Sequence, residues 1–139
     1  MGVTAARFFS LLFAALALAP ALAHLLELPN KIGLSRADYL IVQQIYRGWA
    51  LLGIVVLGAL LSTLILTILI RKRPGKFGLS LVAFLCIVGT EVVFWTFTFP
   101  ANQQTSNWTV LPENWETLRI QWECSHAVSA VLNLIAFIP

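Results

Sequence analysis

The sequence predicts an all-α membrane protein, an up-and-down bundle of four transmembrane helices. Of its 139 residues, 59% are hydrophobic and only 11% are charged, and the mean hydropathy is +0.85, whereas soluble domains carry about 25% charged residues. Four apolar stretches, each near the 20 or so residues that about 30 Å of hydrocarbon requires, are separated by short connections. We therefore expect one integral membrane domain over residues 1–139, with helices at about 5–28, 36–70, 77–99 and 115–138.

The positive charges predict that both termini are cytoplasmic. The connection between the second and third stretches holds four basic residues and no acid, and Arg7 near the N-terminus also lacks an acidic neighbour. Basic residues on the other side are mixed with acids, and positively charged loops stay in the cytoplasm. The formal net charge of +3 is thus a topology signal, so we expect membrane lipid and not nucleic acid as a partner. The basic loop contains Arg71, Lys72, Arg73 and Lys76.

The first stretch also resembles a secretory signal. Arg7 precedes the apolar run Phe8 to Leu18, and Pro20-Ala-Leu-Ala23 has the A-x-A form of a cleavage site. Cleavage after Ala23 would place His24 at a free N-terminus, where its amine and ring together could hold copper. We expect the segment to be retained as the first helix, although the residues alone leave cleavage open.

Turn and cap residues predict where the first two helices meet. Pro29 ends or bends the first helix, and Ser35, with Asp38 three residues later, is typical of the start of the second. No proline interrupts residues 36–70, so we expect one helix about 50 Å long. Its first turns must then project from the membrane or pack against the outer loops.

The third helix is expected to stop at Pro100, and the loop from there to Asn114 to form a roof over the bundle. On the second helix, Gly48, Gly53 and Gly58 offer small surfaces. Small residues allow close contact between helices in lipid, either within the chain or with a partner.

Both histidines of the chain are predicted at the outer side, each three residues from a glutamate. His24-x-x-Glu27 ends the first helix and Glu123-x-x-His126 begins the fourth, while Glu91 lies at a similar depth on the third. Because an ionisable residue inside a membrane is a functional-site hypothesis by default, we predict a polar pocket to which all four helices contribute. The other residues expected to line it are Gln43, Arg47, Trp95, Asn102, Trp108, Trp115 and Trp122.

The residues leave the cofactor of such a pocket unknown. Glu-x-x-His pairs from two helices ligate dinuclear metals in four-helix bundles, and two facing histidines can hold a haem. No phosphate-binding glycine loop, zinc-finger spacing or nucleophile elbow occurs in the chain. The residues available to a metal are His24, Glu27, Glu91, Glu123 and His126.

Proton chemistry is an alternative that needs no cofactor. A neutral His126, oriented by Glu123, could remove an acidic C–H or O–H proton, and Arg119 could stabilise the anion. These three are the predicted catalytic residues. A purely structural network also remains open, in which Arg119 forms an ion pair with Glu116 or Glu123 along the helix.

Four motifs resemble the bacterial branch of the small four-helix membrane proteins classed with the fungal anthrone oxygenases. The resemblance covers nearly the whole chain, and the last motif is the most specific. The motifs are His24-Leu-Leu-Glu-Leu-Pro-Asn30, Val42-Gln-Gln-Ile-Tyr-Arg-Gly-Trp49, Asn102 with Thr105-x-Asn-Trp108, Pro112 and Trp115, and Arg119-x-x-Trp-Glu-x-x-His126.

This resemblance implies oxidation of a phenolic, doubly benzylic carbon by O2 without a dedicated cofactor, in a bacterial plasma membrane. The positions that match the family motif are Arg119, Trp122, Glu123 and His126, while His24 and Glu27 match the bacterial branch. Such chemistry agrees with proton removal, since the resulting electron-rich anion can react with O2 directly.

The leading hypothesis is therefore an oxidoreductase-like or small-molecule-binding membrane protein that acts on a phenolic or quinone-like apolar ligand. One alternative is a metal- or haem-binding four-helix protein. Another is a non-enzymatic membrane subunit or assembly partner, with the small residues around Gly53 as its contact surface. A homo-oligomer is also open.

Overall fold

The computed structural model describes residues 2–137, and within that range it is helical without strands. Three-residue and four-residue 3-10 turns separate α2 from α3, and a π-helical turn joins α4 to α5. The predicted end of the last helix at 138 lies outside the described residues. The helices are α1 (Val3–Lys31), α2 (Arg36–Gln43), α3 (Gly53–Leu69), α4 (Pro74–Val93), α5 (Phe99–Gln104) and α6 (Trp115–Phe137).

Three helical segments are long and apolar enough to cross a membrane, namely Val3–Lys31, Trp49–Leu69 and Pro74–Gln104. Their outward faces expose large aliphatic and aromatic side chains, which are stable only against hydrocarbon. The prediction of a helical membrane protein is confirmed to this extent. With 23 residues, α6 is about 35 Å long and could also cross, but its three charged residues make it less apolar.

Small residues bring the long helices together. α1 packs against α3 and α6, and α4 packs against the same two helices. A Cβ atom on Gly58 would lie 2.6 Å from the ring of Phe13, so this glycine permits the approach of α1 to α3. Buried Ala59, Ala83 and Ala136 form a core between α3, α4 and α6. Gly53, by contrast, faces open space.

The expectation of one continuous helix over residues 36–70 is wrong. α2 ends at Gln43, a 3-10 turn follows, and Gly48 has a φ of +89°. Glycine adopts such a left-handed conformation without the steric cost that a Cβ imposes, so it can reverse the chain between α2 and α3. Ser35 caps α2 as expected, since its hydroxyl accepts from the Asp38 amide at 3.2 Å. α2 thus packs against the outer loops instead of projecting from the membrane.

Two prolines do not end their helices where the sequence suggested. α1 continues through Pro29 to Lys31, and α5 carries the third long segment through Pro100 to Gln104. The π turn Phe94–Thr98 precedes Pro100 and loosens the helix where the proline ring would clash. Both corrections matter because the added helical turns, at the ends of α1 and α5, carry polar residues.

Candidate functional site

Lys31, the last residue of α1, lies at the centre of a buried polar cluster. Its side chain is only 4% exposed, and its Nζ lies 2.6 Å from the Tyr46 hydroxyl, 3.1 Å from Glu123 Oε1 and 3.5 Å from Glu27 Oε2. An ammonium has three N–H donors; Lys31 donates to Tyr46, and both carboxylates lie within ion-pair distance. A buried charge is tolerated only when it is paired and hydrogen-bonded, and this geometry meets that condition.

Residues 32–48, between α1 and α3, form a covering segment that packs over the cluster. Two phenols of this covering segment extend the cluster. The Tyr46 hydroxyl donates to Glu27, and the Tyr39 hydroxyl donates to Glu123 Oε1 at 2.9 Å and accepts from Gln43 Nε2 at 2.6 Å. Burial raises the pKa of both tyrosines well above the ordinary value, and the neighbouring carboxylates, Glu123 for Tyr39 and Glu27 for Tyr46, raise it further. Both phenols therefore stay neutral and keep their hydrogens for donation.

The two histidines meet between α1 and α6. The ring centroids of His24 and His126 are 4.1 Å apart and the planes differ by 22°, which is a stacked arrangement. Trp122 lies edge-on to both, at 5.1 Å from His24 and 4.2 Å from His126. Tyr46 and Trp49 lie 4.5 and 5.5 Å from His24. The imidazoles thus occupy an aromatic box beside the Lys31 cluster.

Arg119 holds the covering segment in place. Its Nη1 donates to the Leu34 carbonyl oxygen at 2.8 Å, and its guanidinium carbon lies 4.5 Å from the Trp115 ring centre and 5.5 Å from that of Tyr39. Among residues 2–137 the expected ion pair with Glu116 or Glu123 does not form. The guanidinium binds a backbone carbonyl and aromatic faces instead.

The loop after α5 closes the site through two tryptophans. Asn102 Oδ1 accepts from the indole N–H groups of Trp108 at 3.1 Å and Trp122 at 2.8 Å. Ser106, Asn107 and Trp108 all have positive φ, between 49° and 60°, a conformation that costs free energy in non-glycine residues. This strained turn places Trp108 into a core with Tyr39 and Trp115, as expected of a roof.

Three predicted pocket residues do not reach the site. Trp95 is 58% exposed and its indole donates to Glu91 at 3.3 Å, so this pair lies on the outward face of the third segment. The face of this segment that contacts α6 carries Thr98 instead, whose hydroxyl forms a hydrogen bond with that of Ser125 at 2.7 Å. Arg47 follows the helix break and is exposed.

The proposed metal ligands are not assembled either. Within the part of the chain that the structure describes, no group of three or more His, Cys, Asp or Glu side chains could hold a metal ion. Glu91 faces outward, and the carboxylates of Glu27 and Glu123 are bound to Lys31. The stacked imidazoles are in direct contact, which leaves no room for a haem between them.

Sequence reasoning missed Lys31, Tyr39 and Tyr46 as members of the site. Lys31 follows Glu27 by four residues and His24 by seven, so all three share one helical face. That signal was available, but Pro29 suggested that the helix had ended. For the tyrosines, no local pattern indicates that the chain turns back after Gln43.

Cys86 and Cys124 are both free. Cys124 lies in an open groove of about 380 Å³ between the third segment and α6, with Phe97, Gln121 and Ser125. His24 and His126 do not line this groove.

Replacing Lys31 should destabilise the protein strongly. Lys31→Met leaves the Glu123 carboxylate buried without its cation, so we expect the free energy of unfolding to fall by about 3 kcal/mol. Unfolding in mixed micelles with a denaturing detergent would measure this. Lys72→Met, an exposed lysine in the basic loop, is the matched control. The double variant Lys31→Met/Glu123→Gln should recover part of the loss, and equal stability of wild type and Lys31→Met would contradict the role of Lys31.

Alkaline titration should report on this cluster alone, because the chain has two tyrosines and both belong to it. At about pH 11 we expect tyrosinate absorbance from the unfolded protein, whose phenols have a pKa near 10, and little from the folded one. Since the folded pKa is raised, the phenols stabilise fully below about pH 10 and lose that contribution as the pH rises further. In Tyr46→Phe, any tyrosinate absorbance that remains comes from Tyr39. Ionisation near pH 10 in the folded protein would contradict the burial of the two phenols.

A comparison of the chain with protein-family models finds no match, and comparisons with curated proteins and with solved structures find none either. The case for a site therefore rests on its geometry.

Proposed function

We propose that the chain crosses a bacterial plasma membrane four times, with both termini in the cytoplasm. The exposed basic loop between α3 and α4 supports this orientation. α6 has the length to cross, and its charged residues turn toward α1 and the covering segment, where Glu123 is 1% exposed and Arg119 is 8% exposed. The Lys31 cluster then lies at the non-cytoplasmic side.

Reporter fusions test this topology. A fluorescent protein fused after Pro139 should fluoresce, and alkaline phosphatase at the same place should be inactive. Both reporters inserted in the exposed turn at Ser106 should give the opposite result. An active phosphatase at the C-terminus would show that α6 does not cross as proposed.

We further propose that the site takes a proton from a phenolic apolar molecule, or from the reduced form of a quinone-like one, as an oxidoreductase that uses O2. The observation that carries this function is the stacked pair of His24 and His126 beside the Lys31 cluster. Imidazole is the commonest proton acceptor in enzymes near neutral pH. Trp49, Trp122 and Tyr46 around the pair provide faces on which a planar ring could stack.

The cluster beside the imidazoles holds charges of both signs. Glu27 and Glu123 contribute two negative charges and Lys31 one positive charge, which leaves a formal charge of −1. A proton accepted by His24 or His126 would bring the formal charge of this group to zero.

The contacts revise the roles expected from the sequence. Glu123 does not orient His126, because its Oε1 binds Lys31 and Tyr39; it acts through its charge. Arg119 keeps the role of stabilising an anion, since one of its N–H groups is free of partners. Once the proton has left an anthrone, its carbanion can react with O2 to give the anthraquinone and water, as the anthrone oxygenase resemblance implies. A hydroquinone anion would instead give two electrons and its second proton to O2, which forms the quinone and H2O2.

Oxygen uptake tests the proposal. Wild-type protein in lipid nanodiscs should accelerate O2 consumption by an anthrone or a hydroquinone over empty nanodiscs. His126→Phe and His24→Phe should each reduce this acceleration by about 10²-fold or more, the usual contribution of a general base. Trp95→Phe, which alters an aromatic residue outside the site, is the control. Full activity of both histidine variants would exclude the pair as proton acceptor.

A further inference from the structure

The hydrogen bonds around Tyr39 leave one oxygen of Gln43 without a donor. The Tyr39 hydroxyl has a single hydrogen, which it gives to Glu123. Gln43 must therefore present its NH2 group to Tyr39, and its Oε1 is left buried without a partner in the described chain. The Gln43 side chain is 3% exposed, so water from bulk solvent does not reach it.

Glu123, which binds the same phenol, also has one oxygen without a partner. Its Oε1 accepts from Tyr39 and lies 3.1 Å from Lys31 Nζ. Its Oε2 receives no donor from the residues described. Leaving such a buried acceptor unsatisfied destabilises a protein, and each case calls for an explanation.

A buried donor without a partner lies nearby. Arg119 Nε has no acceptor among residues 2–137, although Nη1 of the same guanidinium binds Leu34. The guanidinium lies 5.5 Å from the Tyr39 ring. Two acceptors and one donor thus surround a single phenol, and the protein satisfies none of them.

We propose that the hydroxyl group of the ligand binds beside Tyr39. This hydroxyl group anchors the ligand and is not the group that the histidine pair deprotonates. Its hydrogen is donated to Glu123 Oε2 or Gln43 Oε1, and its oxygen accepts from Arg119 Nε. A hydroxyl group can both donate and accept, whereas a quinone carbonyl or an ether oxygen only accepts and would face two acceptor oxygens. The inference rests on the function proposed above and narrows its substrate class to reduced, hydroxyl-bearing phenols and hydroquinones.

Binding at this place requires α2 to move, because the unpartnered atoms have almost no accessible surface. α2 carries Tyr39 and Gln43, and it is joined to α3 through Gly48, whose left-handed φ of +89° marks a turn. A few backbone torsions in such a turn can shift a short helix. The ligand thus enters between α2 and α6, with Arg119 and Glu123 on the α6 side.

The test compares three probes of one shape. A short-tailed hydroquinone, its dimethyl ether and the corresponding quinone are titrated into wild-type protein in nanodiscs by calorimetry without O2, which prevents turnover, and empty nanodiscs serve to subtract partitioning into lipid. We expect the hydroquinone to bind at least about tenfold tighter than the ether and the quinone, because only it supplies donors to the buried acceptors. Equal affinities would overturn the inference.

Variants of the acceptors sharpen the test. In Glu123→Gln, Lys31 keeps the amide oxygen at the Oε1 position, so an NH2 donor replaces Oε2. The hydroquinone should then bind no more tightly than the ether and the quinone, or more weakly. Glu91→Gln should retain the preference for the hydroquinone. If Glu123→Gln does not fold, Gln43→Leu should lower the preference, and exposed Gln103→Leu should not. An unchanged preference in the folded acceptor variants would overturn the proposed contacts.

Failure of this inference differs from failure of the proposed function. If all three probes bind equally and His24→Phe weakens all of them, the histidine site stands and the hydroxyl specificity is wrong. If no probe binds to wild-type protein, the phenol-binding function itself is wrong, and the inference is overturned with it.

Discussion

The structure depends on one ammonium group held between two carboxylates at the C-terminal end of α1. Lys31 connects α1 to α6 through Glu123 and to the covering segment through Tyr46. The buried Glu123 carboxylate would not be tolerated without this cation, whereas Glu27 is partly exposed. The position of Lys31 therefore fixes how far α1 must extend, and it explains why the helix continues past Pro29 although proline removes a backbone donor.

The covering segment follows from the same constraint. A cluster of charges at the end of a bundle would be hydrated and screened if it were open, so the chain turns back after Gln43 and packs α2 over it. Gly48 makes the reversal feasible, and the strained turn at Ser106 to Trp108 adds the second half of the roof. Asn102 ties this second half to α6 by accepting from the indoles of Trp108 and Trp122. Local strain is thus offset by the hydrogen bonds that it allows.

The sequence was most informative about ionisable residues that lie at helical spacing within apolar segments. His24, Glu123 and His126 were predicted because ionisable residues are rare and expensive in apolar segments, and the structure brings the two histidines into contact. Lys31 was missed because Pro29 suggested that α1 had ended before it. The tyrosines were missed because their carboxylate partners lie 84 residues away for Tyr39 and 19 for Tyr46, across a chain reversal. Glu91 was wrongly included because depth along a helix does not determine direction; the face of the third segment toward α6 carries Thr98 instead.

The distribution of unsatisfied atoms favours the proposed binding site over a purely structural network. Elsewhere in the described chain, buried hydroxyl groups such as those of Thr63, Thr67 and Ser80 have partners on their own or the neighbouring helix. The four buried side-chain atoms without a partner are His24 Nδ1, Gln43 Oε1, Arg119 Nε and Glu123 Oε2. A network selected only to hold helices together would gain stability by satisfying its own members. Their concentration around Tyr39 and the histidine pair is the pattern expected where a ligand supplies the missing partners.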